Sequence, residues 1–187
     1  MYNEPTAVDI LLPPNIIEYL DDTSEFGRGT VAGIKNKEIP LRSTSVCMRY
    51  DNDWVAKFCR HHVQVINEDV YKYQLDDGFD RGKYQYAHYH VNDHYGWHID
   101  YIRQGHKDRL LHRKLSFSLL LNDDYEGGEF EFVMPRYGIQ LNWDRIALEP
   151  KAGSLIVFPS TLGHRVKPVT KGIRKSIVGW CVGRQFT

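Results

Sequence analysis

The chain is short of cysteine, of long apolar runs and of excess charge of either sign, and each shortage removes a class of protein. Only three cysteines occur, Cys47, Cys59 and Cys181, widely spaced and without a CxxC pair. An odd, scattered set argues against a disulfide framework and suits a reducing compartment. All three read as small buried apolar residues. No stretch approaches the ~20 apolar residues of a spanning helix. Met1-Tyr2-Asn3-Glu4 lacks the basic start and apolar run of a secretion signal. Lys plus Arg number 24 and Asp plus Glu number 24, so no global field pulls towards nucleic acid or anionic membrane. There is no internal repeat, low-complexity tract or Pro/Ser-rich linker. The expectation is a soluble, cytoplasmic chain whose 187 residues form a single domain with a substantial core.

The punctuation of the chain predicts its architecture. Pro13-Pro14 followed by Ile16, Ile17 and Leu20 spaces a short amphipathic helix. Arg28 to Lys35 and Ser43 to Tyr50 look extended. Asp51 is placed to cap a helix running to about Tyr73, with Trp54, Phe58, Val65, Ile66 and Val70 as its core-facing stripe. Beyond Asp76-Asp77-Gly78 the pattern changes to short strands: Tyr84 to Val91, Gly96 to Tyr101, Leu115 to Asn122, Gly128 to Val133, Ser154 to Phe158, His164 to Val166 and Arg174 to Val182. Turn signals such as Asn92-Asp93 and Glu126-Gly127-Gly128 separate them. Many short strands so punctuated imply a sandwich or jelly roll. The predicted fold class is therefore α+β: a cupin-like double-stranded β-helix over residues 84–182, with residues 1–83 as helical and strand support packed on one sheet.

Nine histidines occur, and most need no function. His61, His62, His106 and His112 are expected at the surface. Tyr84, Tyr86, His88 and His90 share one strand face by period two, and with His94 they could line a substrate cleft; the plainer expectation is a half-exposed strand face. His98-Ile99-Asp100 carries more information. Residues i and i+2 of a strand point to the same side, so His98 and Asp100 can bind one ion, and His164 on a distant strand can supply a third donor. Two imidazoles and a carboxylate hold a divalent metal on one face, the ligand set of non-haem Fe(II) oxygenases. Arg174 follows His164 by ten residues on the next strand. Burying a guanidinium without an anion is costly, which implies a ligand carboxylate as its counter-charge.

With Tyr89 nine positions before His98, the segment Ser118 to Asn122, Glu126-Gly-Gly-Glu-Phe130, Pro150 to Pro159, and Ser176-Ile-Val-Gly-Trp180, the chain resembles the 2-oxoglutarate and Fe(II)-dependent dioxygenases in their prolyl 4-hydroxylase-like branch. The resemblance covers about residues 84 to 182. It implies Fe(II), 2-oxoglutarate and O2 as the reaction's needs, with ascorbate as an accessory. It further implies that His98, Asp100 and His164 hold the metal, that 2-oxoglutarate chelates it through the 1-carboxylate and 2-oxo group, and that Arg174 and Tyr89 bind the distal carboxylate. Where family members often have a Gly-rich turn this chain has Asn92-Asp93, both tolerant of that backbone. Where many prolyl hydroxylases carry Lys it has Arg174, which keeps the role with two parallel hydrogen bonds. A carboxylate at Asp100 argues against a halogenase variant.

The implied reaction is hydroxylation of an unactivated C–H bond, on a peptidyl residue such as proline, with release of succinate and CO2. Three other readings stand beside it: hydroxylation of a free amino acid or small metabolite, demethylation of a nucleobase, and a non-enzymatic jelly roll that keeps a structural metal. The nucleobase reading is disfavoured by the lack of a basic stripe, and the structural one by Arg174, since such a metal needs no co-substrate anchor. Trp180 shares a face with Arg174 and is expected to fill the interior; Trp97, one residue before His98, is expected in the core on the opposite face. The segment 130–146, with Arg136, Tyr137, Trp143 and Arg145, reads equally as a substrate loop at the barrel mouth or as an exposed hairpin.

Overall fold

The computed structural model describes residues 4–29, 41–101, 103–106, 109–136 and 142–184. In chain order the elements are β1 (Thr6–Asp9), α1 (Ile16–Asp22), β2 (Gly27–Arg28), β3 (Arg42–Ser43), β4 (Ser45–Tyr50) and α2 (Trp54–Ile66), which passes into a π-turn over Asn67–Tyr71. A 3-10 turn at Asp80–Gly82 leads into β5 (Lys83–Tyr89) and β6 (His94–His98), then β7 (Arg103–His106), β8 (Arg109–Leu120) and β9 (Glu126–Gly127). The chain continues through β10 (Phe130–Arg136), β11 (Asn142–Leu148), β12 (Ser154–Pro159), β13 (Gly163–Val166), β14 (Val169–Lys171) and β15 (Arg174–Arg184). The major sheet runs β1-β12-β8-β15-β5-β4-β2, with β7 on β8, and the minor sheet β11-β10-β13-β6-β3. Their ladders are antiparallel, as a jelly roll requires.

Period-two alternation splits the apolar residues into two cores. On the major sheet Tyr84, Tyr86, Leu115, Phe117, Leu119, Leu155, Val157 and Ile177 face the helices, where Ile16, Leu20, Val55, Cys59 and Val63 meet them. The intervening residues Ala87, Tyr89, Ile156 and Phe158 face the minor sheet and its Phe130, Phe132 and Val166. The expected support layer is thus present on one sheet only. Cys47, Cys59 and Cys181 are free and buried. No helix among the described residues is long and apolar enough to cross a membrane.

Several local expectations are corrected. Asp53, not Asp51, caps α2, its Oδ1 accepting from the Ala56 N–H at 2.8 Å. Asp51 instead accepts from the Phe79 N–H and from Arg60, pinning the approach to β5. The buried seam of α2 is Val55, Ala56, Cys59, Val63 and Ile66. Val65 and Trp54 are exposed, because the i, i+4, i+8 row through Val55 faces the sheet and leaves the row through Trp54 at its edge. β6 ends at His98, so Asp100 lies beyond the strand. His112 is buried rather than superficial, and its Nδ1 pairs with the Tyr101 hydroxyl at 2.5 Å. Of Arg28 to Lys35, residues 30 to 35 lie outside the described residues; so do Tyr137 and the side chains of Arg136, Trp143 and His106.

The Tyr84-Tyr86-His88 row is neither a cleft nor half-exposed; it lies under the helices. Tyr84 donates to Asp53 and Tyr86 to Asp21, both at 2.6 Å. His88 is buried with its ring 4.2 Å from that of Phe26 and its Nε2 3.5 Å from Asp21, whereas His90 at the end of the row is exposed. Burial lowers the His88 pKa to about 4, helped by Lys175 and His90 and opposed by Asp21. The folded pKa lies below the ordinary histidine value of about 6.5. The stabilising contribution of neutral His88 is therefore complete above that value and lost as pH falls from 6.5 towards 4. In urea unfolding across this window, His88→Gln should flatten the loss of stability by about 1–2 kcal/mol after allowance for solvent screening. An unchanged pH slope would contradict the assignment.

Candidate metal centre

β6 and β13 lie side by side with His164 opposite His98 in the register, which brings the two imidazoles to 4.1 Å between ring centroids. Past His98 the chain leaves the sheet. Ile99 turns outward, 55 % exposed, and the Asp100 N–H donates to the Ser160 carbonyl at 2.9 Å. That turn carries the Asp100 carboxylate inward, 3.7 Å from His98 Nε2 and 3.5 Å from His164 Nε2. One donor atom from each of the three lies within 4.8 Å of the others, the single such His/Cys/Asp/Glu cluster among the described residues. Bonds of about 2 Å to a shared ion would span such separations.

The tautomers follow from the backbone. His98 Nδ1 meets the Gly96 carbonyl at 2.8 Å and His164 Nδ1 meets the Leu162 carbonyl at 2.9 Å. A carbonyl can only accept, so Nδ1 of each ring carries a proton, and Nε2 is the atom each ring turns towards Asp100. Burial, with His164 adding to it, lowers the His98 pKa to about 4 against the opposing pull of Asp100. Burial alone would raise the Asp100 pKa, but His164 and His98 outweigh it and hold the carboxyl well below the usual range. Neutral imidazoles with free Nε2 and an ionised carboxylate are the protonation states that a divalent cation needs. The donor set fits Fe(II).

A second constellation lies along the inward face of β15. Arg174 stands opposite Tyr89 in the register, and its guanidinium carbon lies 5.5 Å from the Tyr89 ring centroid. Arg174 is 1 % exposed. Its Nη1 donates to Ser176 Oγ at 3.1 Å, while among the described residues Nε and Nη2 meet no hydrogen-bond partner of ordinary geometry, the Tyr125 hydroxyl lying close by. A buried guanidinium with two open donor groups is an anion receptor waiting for its anion. The Gly-Gly pair explains how the side chain fits. Gly128 has φ +66°, and a Cβ there would meet Arg174 Cδ at 3.0 Å and Tyr125 Cε2 at 3.3 Å. Arg174, Tyr89 and the three metal-type donors line one cavity with Trp180. Its free volume, about 30 Å³, is close to one water's share of the liquid.

Sequence reasoning missed the walls of this cavity. Tyr95 stacks on His98 at 3.5 Å between centroids, and Arg42 lies over the other reach of Tyr95 at 4.8 Å. Tyr95 was visible as an i−3 neighbour of His98, but Arg42 on an edge strand carried no local signal. Trp97 is corrected: it is half-buried on the outer face of the minor sheet, with Arg165 4.8 Å and Arg145 5.8 Å above its ring. Among the described residues the helices pack on the major sheet and none covers this face. There Trp97, Ile99, Val133, Arg145 and Gly163 form an open groove of about 610 Å³ that reaches His98.

Comparison with known proteins agrees with this geometry. The family described as the 2OG-Fe(II) oxygenase superfamily matches residues 84–182. A PKHD-type hydroxylase from Synechococcus sp. strain CC9902 is 39 % identical over 94 residues, covering 48 % of this chain and 36 % of the relative. One from Hyphomonas neptunium is 41 % identical over 90 residues, covering 47 % and 37 %. The chain thus spans little more than a third of the length of these curated relatives. Among solved structures, a Pseudomonas putida prolyl-4-hydroxylase superposes with a TM-score of 0.66 at 22 % identity, covering 98 % of this chain and 94 % of its own. A Trichoplax adhaerens prolyl hydroxylase, solved with a hypoxia inducible factor peptide fragment, gives 0.64 at 17 % identity, covering 96 % and 83 %. At those identities the superpositions establish the double-stranded β-helix and nothing finer.

Proposed function

The chain belongs to the 2OG-Fe(II) oxygenase superfamily, and from that membership we propose that it hydroxylates an unactivated C–H bond of a peptidyl residue, proline foremost. His98, Asp100 and His164 hold Fe(II), while Arg174 and Tyr89 bind the distal carboxylate of 2-oxoglutarate. The observation that carries this reading is Arg174: a buried guanidinium with two open donors in the same cavity as a His/Asp/His cluster. A structural metal site would have no use for it.

When bound, Fe(II) supplies O2 activation coupled to the oxidative decarboxylation of 2-oxoglutarate to succinate and CO2. The residues supply the rest. The Nδ1–carbonyl hydrogen bonds aim both Nε2 lone pairs before a metal arrives. Arg174 provides the fixed fork that a dicarboxylate needs for orientation. Phe130, Phe158 and Val166 line the cavity and keep bulk water from the reacting atoms.

Two observations favour a peptide over a free metabolite. The groove beside His98 offers an open, largely apolar bed suited to an extended chain. The Trichoplax neighbour was solved with a peptide fragment. The test is an Fe(II)/2-oxoglutarate titration under nitrogen, followed by a screen of proline-containing peptides and free amino acids for stimulated succinate release in air. Stimulation by peptides supports the reading; stimulation confined to free amino acids assigns a metabolite hydroxylase; no oxygen-dependent succinate at all removes the oxygenase assignment.

A further inference from the structure

Arg113, on β8 beside the end of β15, belongs to neither constellation described above, yet it is tightly held. Its Nε and Nη2 both reach Asp80 Oδ2, at 2.7 and 2.6 Å. Asp80 is buried in the 3-10 turn before β5, a turn bent by positive φ at Arg81 and Gly82. An isolated bridge from Phe79 to Cys181 ties the same turn to β15. A buried ion pair is weak evidence for stability, because desolvation offsets most of its attraction; its attested use is to fix a geometry. What this one fixes is visible on its other side. The guanidinium carbon of Arg113 lies 3.9 Å from the Trp180 ring centroid, stacking distance for a planar cation on indole.

Trp180 in turn lines the cavity with Asp100. Its Nε1–H is buried and meets no hydrogen-bond partner of ordinary geometry among the described residues, and the Asp100 carboxylate lines the same cavity. A buried indole N–H left without an acceptor is costly, and the Asp100 carboxylate is an acceptor within the same cavity. The contacts run from Asp80 to Arg113 to Trp180, which shares its cavity with Asp100.

The geometry points to Arg113 as a positioning residue: anchored by Asp80, its planar guanidinium holds the Trp180 indole so that the N–H rests on the Asp100 carboxylate and fixes how that carboxylate is presented to a metal. The inference rests on the ligand role of Asp100 and goes beyond it, since neither Arg113 nor Asp80 touches the cavity's donor set.

The test uses Co(II), an O2-stable stand-in for Fe(II), titrated into the full chain and followed by its visible absorption. Outer partners of a metal ligand change affinity by about 10–100-fold when removed. Arg113→Gln and Trp180→Phe should each weaken Co(II) about tenfold or more, and the double variant should be no weaker than Trp180→Phe alone, because Arg113 acts through the indole. Arg113→Lys keeps the charge for Asp80 but loses the plane, and should behave as Arg113→Gln. Near-UV circular dichroism checks the fold; if Arg113→Gln does not fold, Asp80→Asn, which frees Arg113, takes its place in the cycle. Losses that multiply in the double variant, or an Arg113 variant with wild-type affinity, overturn the clamp alone. Absence of Co(II) binding by the wild-type chain, or binding that survives His98→Ala, overturns the ligand set and the clamp with it.

Discussion

Asp100→Asn, His98→Ala and His164→Ala each abolish oxygen-dependent conversion of 2-oxoglutarate to succinate, the largest effect expected of any single substitution here. Three donors leave no redundancy. The described residues contain no second His/Cys/Asp/Glu cluster that could take over. Outer-shell losses already cost about 10–100-fold in metal affinity, so loss of a direct ligand should exceed ~100-fold. Asp100→Asn is the sharpest of the three because it preserves shape and removes only the charge, in a place where burial makes that charge hard to replace. Fe(II) binding and succinate release measured in parallel check the result. Near-normal decarboxylation by any one of the three would remove that residue from the ligand set.

The second large effect has two opposite signs. Arg174→Ala should weaken 2-oxoglutarate by more than tenfold, since truncating one side of a buried charge-assisted pair costs on the order of 2–5 kcal/mol. In the ligand-free protein the same substitution removes a buried guanidinium with two open donors, so stability without 2-oxoglutarate should hold or rise despite the cavity created. Wild-type melting temperature then climbs with added 2-oxoglutarate by mass action, and that of Arg174→Ala climbs only at more than tenfold higher concentration. Thermal scans with and without Fe(II) and 2-oxoglutarate read both signs in one experiment. An unchanged apparent affinity would take Arg174 out of the co-substrate site.

The parts of the site that were legible in sequence are those whose chemistry forces the residue type. A facial metal site needs His98, Asp100 and His164 by identity, and a dicarboxylate needs something like Arg174. Period two also put Arg174 and Trp180 on one face of β15, but it could not tell that the Tyr84-Tyr86-His88 face of β5 lies under helices, because both faces of that strand are buried by different layers. What stayed hidden depends on register between distant strands. Ser116 lies opposite Trp180 and Arg113 opposite Val182, across a bulge after Cys181, and no local pattern announces that offset. Asp51 and Asp53 were indistinguishable as caps until the turn at Phe79 claimed one of them. Trp97 misled for a different reason: alternation gave its face correctly, but only the tertiary arrangement reveals that no helix among the described residues covers that face.

One strand, β15, serves both layers at once. Arg174, Ser176 and Trp180 on one side belong to the cavity, while Ile177 and Cys181 on the other belong to the helical core. Sequence drift therefore meets two independent sets of rules along the same eleven residues. The even-numbered row is constrained by chemistry and tolerates almost nothing. On the odd-numbered row Ile177 and Cys181 need only be apolar and of suitable bulk, whereas Lys175 pairs with Asp21 and Gly179 and Gly183 leave no room for a Cβ. How firmly the strand is held can thus be changed at Ile177 and Cys181 alone, from the side that faces the helices, without touching the side that faces the cavity.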